Sequence, residues 1–246
     1  LTLSGDLDNG NTTDGIKLLA DNTGYAQLLT SGTITTKGGT YAEQYLTANS
    51  KAGWRNIASP VSTTLAEIDD DFESFYAVGT PGTLGNASQV NLKWWDASPI
   101  TPGSDANAKG WINAADNSLS FGPGNAAYIL WVGDYHNILN ANLLDVSGEI
   151  GNGDYAFDIY ATQTSVQAGL SNTGWNLIPN PYPSNIEVTT LLGDNANFSL
   201  TYKAIHIWDA TVQQYAAITD DAAITFTPKS ATAGHNIAPF QAFWVK

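Results

Sequence analysis

Two stretches of the 246-residue chain share one skeleton. Gly53 to Pro60 reads GWRNIASP, and Gly174 to Pro181 reads GWNLIPNP. Other words recur around them in the same order. LSGDL (Leu3 to Leu7) precedes the first copy, and VSGEI (Val146 to Ile150) precedes the second. Trp95-Asp96-Ala97 is echoed by Trp208-Asp209-Ala210. Pro123-Gly124-Asn125-Ala126, with Tyr128, is echoed by Pro239-Phe240-Gln241-Ala242, with Phe243. The spacings differ, but all except the LSGDL and VSGEI pair lie roughly 110 to 120 residues apart, far beyond the 20 to 50 of a solenoid repeat. Such a period is domain-sized and points to a tandem duplication. Its seam is expected at 133–140, with one unit over 1–135 and the other over 136–246. A single large β domain with internal pseudo-symmetry is the alternative.

Composition selects the class. Hydrophobic residues make up 43% of the chain, enough for a core, while charged residues make up only 13%, about half the usual share. Asn, Thr, Ser, Gln and Gly must supply the polar surface, which suits strands and tight turns better than helices. Helical patterning is confined to Thr64 to Phe72 and Ser184 to Leu192. Each of these follows its Gly-Trp…Pro word, with a Ser or Thr as N-cap and Glu67 or Glu187 three residues on. Val90 to Asp96, Asn125 to Val132, Ala156 to Ala161, Lys203 to Asp209 and Gln241 to Val245 read as strands. The expected fold is all-β: two tandem, jelly-roll-like, antiparallel β-sandwich domains, each with one short helix.

The order SG-[DE]-[LI], GW-x-x-I-x-[SN]-P, WD and P-x-[NQ]-A resembles a module of large secreted and cell-surface proteins of Bacteroidota-type bacteria. Many of those proteins carry a sorting tail for type IX secretion. GWNLIPNPYPS (Gly174 to Ser184) looks like the family's W-x-L-I-G-N-P-Y-P-S signature, with Pro179 where Gly is usual, and IAPFQAFWVK (Ile237 to Lys246) looks like its closing strand. The resemblance covers most of the chain. It implies a β fold and an extracellular location, and it brings no catalytic residues.

The net charge of −14 disfavours nucleic acid and anionic membranes, both of which need Lys and Arg clusters. No run of about 18 apolar residues is present to span a bilayer. Without cysteine the chain has no disulfide or thiolate metal site, and the absence of methionine, even at position 1, points to a processed or excised fragment. The three histidines, His136, His206 and His235, lack metal-ligand spacing, and His206 is expected to face solvent. No nucleophile elbow, P-loop or dinucleotide fingerprint occurs, and nothing marks a glycosidase carboxylate pair. The expectation is therefore a protein that is not an enzyme.

Trp54 and Trp175 are expected to anchor the sandwich cores, joined by Trp95 and Trp208. Adjacent strand residues face opposite ways, so a core Trp95 would turn Trp94 outward. Trp94 and Trp111 are then the candidate carbohydrate-stacking platform. Asp6, Asp8, Asn9, Asn11 and Asp14 form an oxygen-rich stretch that could hold Ca²⁺, although Gly10 and the missing Glu depart from the EF-hand pattern. The Asp69-Asp70-Asp71 run sits at a helix C-terminus, where the dipole favours cations. The preferred role is a non-catalytic structural or adhesion module, partnered by other copies or other surface proteins. A carbohydrate-binding module, with polysaccharide as partner, is the alternative.

Overall fold

A computed structural model describes residues 1–10, 15–46, 53–72, 90–98, 110–132, 143–160, 174–194, 204–209, 213–219 and 236–246. The described residues are mostly short β-strands, with two short helices. Three larger sheets carry the architecture. One is five-stranded, in the order Ser120–Phe121, Val61–Thr64, Leu143–Ile150, Thr40–Tyr45, Ile16–Leu18. Strand Leu143–Ile150, counted with the second repeat from sequence, hydrogen-bonds inside this sheet between partners from the first. The seam expected at 133–140 lies outside the described residues. Parallel pairing, unexpected from the sequence, occurs near the N-terminus: Thr2–Leu3 with Leu29–Thr30, Leu7–Asn9 with Ile34–Thr36, and Ile16–Leu18 with Thr40–Tyr45.

The other two larger sheets are four-stranded, and they match. The Trp54 sheet runs Gly110–Asn113, Leu92–Asp96, Tyr128–Val132, Gly53–Ile57. The Trp175 sheet runs Gln214–Thr219, Ala204–Asp209, Ala242–Val245, Asn176–Pro179. Corresponding strands also pair in the same register. Ile57 lies opposite Tyr128 as Ile178 lies opposite Phe243. Trp94 opposes Tyr128 as Ile207 opposes Phe243, and Trp95 opposes Trp111 as Trp208 opposes Tyr215. Just before the central strand, Gly124 and Phe240 both adopt positive φ, +77° and +62°. A bulky residue rarely tolerates that conformation. Phe240 is held there by burial in the core beneath the Trp54 sheet, and its carbonyl accepts the Ala58 N–H at 2.9 Å.

Each four-stranded sheet buries one face. Ile57, Leu92, Tyr128, Leu130 and Val132 meet Ala42, Val61, Leu144 and Val146 of the five-stranded sheet in one sandwich-like core. Ile178, Ile205, Ile207, Phe243 and Val245 form a smaller core with Val188 and Leu192 of the second helix and Ile237. The helices are shorter than the patterning suggests, Ala66–Asp69 and Val188–Gly193. Residues Ile186–Glu187 pair with Asn236–Ile237, which delays the second helix, and Glu187 itself becomes the N-cap by accepting the Thr190 N–H. The first helix docks on the five-stranded sheet through Glu67, which accepts the Ser147 N–H, and buried Asp71, which accepts the Asp145 N–H.

Residues 156–160, expected as strand, make no strand pairing. The Asn176 side chain instead takes both polar groups of Tyr160, accepting its N–H at 3.0 Å and donating to its carbonyl at 3.2 Å. The corners after both Gly-Trp words use one device. The Ser59 Oγ accepts the Val61 N–H, and the Asn180 Oδ1 accepts the Tyr182 N–H, each two residues ahead.

Candidate functional site

The second faces of the two four-stranded sheets meet each other, and the repeated tryptophans lie there. Side chains alternate across a strand, so Ile57 and Ile178 on the core faces put Trp54 and Trp175, three residues away, on the opposite faces. Trp54, Trp95, Trp175 and Trp208 are half-buried and absent from both cores. This corrects their expected place inside each sandwich. Trp94 and Trp95 also exchange roles. Trp94 packs against the first core, beside Tyr128, while Trp95 faces the seam.

Two clefts open along the seam, and they are mates under a pseudo-two-fold exchange of the sheets. One, of about 340 Å³, is lined by Trp175, His206, Trp244 and Tyr215 from the Trp175 sheet, with Trp95 and Trp111 from across the seam. The other, of about 300 Å³, is lined by Trp54, Lys93, Ile129, Trp111 and Asn56 from the Trp54 sheet, with Trp208 and Tyr215 from across. The registers equate Trp54 with Trp175, Lys93 with His206, Ile129 with Trp244, Trp111 with Tyr215 and Trp208 with Trp95. Trp111 and Tyr215 line both clefts, and both are 39% exposed.

The Trp175 cleft has the indole N–H groups of Trp95 and Trp244 satisfied by its own contacts. Trp244 meets Trp95 at 5.1 Å between centroids, Trp111 at 5.5 Å and Trp175 at 6.4 Å, with interplanar angles of 78° to 87°. Trp95 Nε1 donates to the Trp175 carbonyl at 2.8 Å, and Trp244 Nε1 donates to the Tyr215 hydroxyl at 3.1 Å. His206, expected in solvent, stands edge-on to Trp175 at 4.9 Å. Burial there pulls its pKa below the usual histidine value. Lys246 Nζ lies 5.4 Å over the same indole.

The Trp54 cleft differs at the matching atoms. Arg55, 6% exposed, donates from Nη1 to the Trp54 carbonyl at 3.0 Å. That carbonyl is the counterpart of the acceptor that Trp95 uses. Trp208 Nε1, the counterpart donor, is buried without a hydrogen bond, and so is Asn56 Nδ2. Asn56 is 8% exposed and faces the Tyr215 hydroxyl, whose pKa burial raises while the adjacent Trp244 N–H and Asn56 amide oppose the shift. Its counterpart by register is Leu177. Lys93 Nζ lies 5.5 Å over the Trp54 ring, whose edge contact is Trp131 at 5.3 Å.

The carbohydrate platform expected of Trp94 and Trp111 is therefore divided. Trp94 serves the core, and Trp111 meets Trp95 at 76°. At the N-terminus, Asp6 Oδ1 accepts the Thr33 N–H at 2.7 Å, and Asp8 and Asn9 lie on strand Leu7–Asn9 rather than in a loop. Asn11 and Asp14 lie outside the described residues, as do His136 and His235. Among the described residues no three His, Asp or Glu side chains cluster to hold a metal. Asp69, from the acidic run, accepts from Asn117 Nδ2 at 3.0 Å. Among the described residues no helix is long and apolar enough to cross a membrane. No family model, curated protein or solved structure matches the chain.

Proposed function

We propose that this chain is a non-catalytic structural or adhesion module of a secreted or cell-surface protein, built as two tandem β-sandwich units of jelly-roll-like type and joined into one stiff spacer. One observation carries this reading: the aromatics of the seam meet edge to face at 76° to 87°, each occupying its neighbour's face or edge. Such edge-to-face pairs are worth about 0.5–1.5 kcal/mol each as packing. A surface low in charge and rich in Asn, Thr and Ser supports lateral, hydrogen-bonded contacts with other copies or other surface proteins. Bound Ca²⁺ and an enzymatic role have no comparable support.

Small-angle scattering of the purified chain tests the reading. The wild type should fit a single rigid body. Trp95→Ala combined with Trp244→Ala removes the central contact and should loosen the particle, with a larger radius of gyration. A wild-type profile that needs an ensemble of hinged arrangements would overturn the spacer.

A further inference from the structure

The Trp54 cleft carries two groups that folding leaves unsatisfied. A buried N–H without a partner costs about 1–3 kcal/mol, and native structures hold few of them. Here Asn56 Nδ2 and Trp208 Nε1 both line one cleft, from opposite sheets. The Tyr215 hydroxyl takes the Trp244 N–H and lies beside the Asn56 amide, which makes no hydrogen bond of good geometry to it. In the mate cleft the corresponding indole is bonded, and Leu177 stands where Asn56 would. The same frame thus exists in a version whose indole donor is bonded and in a version with donors to spare. That contrast argues against a shared packing defect and for a site.

Chemistry narrows the ligand. Both unsatisfied groups donate. The charged group beside them, Lys93, has the Trp54 ring as its contact, and no carboxylate among the described residues is paired with it. Trp54, Trp111 and Tyr215 add aromatic surface, which suits the C–H face of a sugar ring. About 300 Å³ lies at the small end of ligand pockets and accommodates one residue rather than a long chain. We propose that this cleft binds a single carboxylate-bearing sugar residue, with its acid at Lys93 and its oxygens accepting from Asn56 Nδ2 and Trp208 Nε1.

The inference goes beyond the spacer reading and can fail separately, because a seam that binds nothing is still a rigid seam. The test is an NMR titration of the indole N–H signals with glucuronic acid and with glucose, the Trp208 signal being assigned by its loss in Trp208→Phe. Glucuronic acid should shift the Trp208 signal, with glucose binding at least about tenfold more weakly. Asn56→Leu, which copies the mate cleft, should weaken glucuronic acid about tenfold, as expected for a lost hydrogen bond to a charged or polar ligand. Its melting temperature should hold or rise, which separates lost binding from lost fold. Lys93→Gln should abolish the preference for the acid. An unmoved Trp208 signal, equal binding of the two sugars, or Asn56→Leu binding as wild type each overturns the proposal.

Discussion

The two clefts of the seam share a backbone frame and differ in how their polar atoms are satisfied. Around Trp175, the partner sheet's indole donates to a main-chain carbonyl, histidine stands where a charge would be, and Trp244 fills the centre. Around Trp54, arginine holds the matching carbonyl, lysine replaces histidine, and Ile129 replaces Trp244. Where two matching frames differ, the one that breaks a local packing rule is the place to look for function. The departure here lies in a few side chains rather than in the fold, since strand order and register agree throughout the shared pairs.

The largest test of that division is at the centre of each cleft. Trp244 is 7% exposed and touches four aromatic rings, so Trp244→Ala should cost about 3–5 kcal/mol. Ile129→Ala, at the matching position, should cost less, about 2–3 kcal/mol, because a smaller side chain leaves a smaller cavity. Urea denaturation of the pair checks this. Equal losses would mean that the two clefts carry the seam equally.

A finer test removes one indole N–H at a time. Trp95→Phe deletes a donor that is bonded and leaves the Trp175 carbonyl without it, and should cost about 1–2 kcal/mol. Trp208→Phe deletes a donor that has no bond, and should recover about 1 kcal/mol against the shared loss of ring area. Asn56→Leu should stabilise by about 1 kcal/mol, since it removes a buried unpaired amide. For a chain of this size that is a rise of about 2–4 °C in melting temperature. A fall of the same size would show that the amide is already satisfied in the folded protein.

Much of this frame was legible before the structure. The repeated words mark equivalent strands, and GW-x-x-I places Trp and Ile three residues apart, on opposite faces of one strand. HIWD says the same, since Ile205 and Ile207 alternate with His206 and Trp208. Reading Trp as core because it is large overrode that parity and inverted Trp94 and Trp95. The aliphatic partners were the better guide to the buried face. What parity cannot show is a second sheet covering the other face, because that contact joins residues more than 80 positions apart, such as Trp95 and Trp244. The strand expected at 156–160 failed for a local reason, an Asn176 amide that takes the backbone groups a ladder would use. The two unpaired donors leave no trace in the sequence.

The smallest expected effect concerns pH, and it again separates the clefts. His206 is partly buried against Trp175, and desolvation of its charged form lowers its pKa below that of the unfolded chain. The unfolded state therefore binds the proton first as pH falls. His206 favours folding above its unfolded value of about 6.5, and that contribution is lost as pH drops below it towards the folded value. Carboxylates such as Glu67 and Asp145, raised mainly by desolvation, push the other way at lower pH, so the signal is a difference. Wild type minus His206→Phe, by thermal melts between pH 7.5 and 5.5, should show wild type losing ground as acid is added. Lys93→Gln, at the matching place in the other cleft, removes no imidazole and should leave the slope unchanged. Parallel curves for wild type and His206→Phe would mean that the imidazole titrates as it does in water.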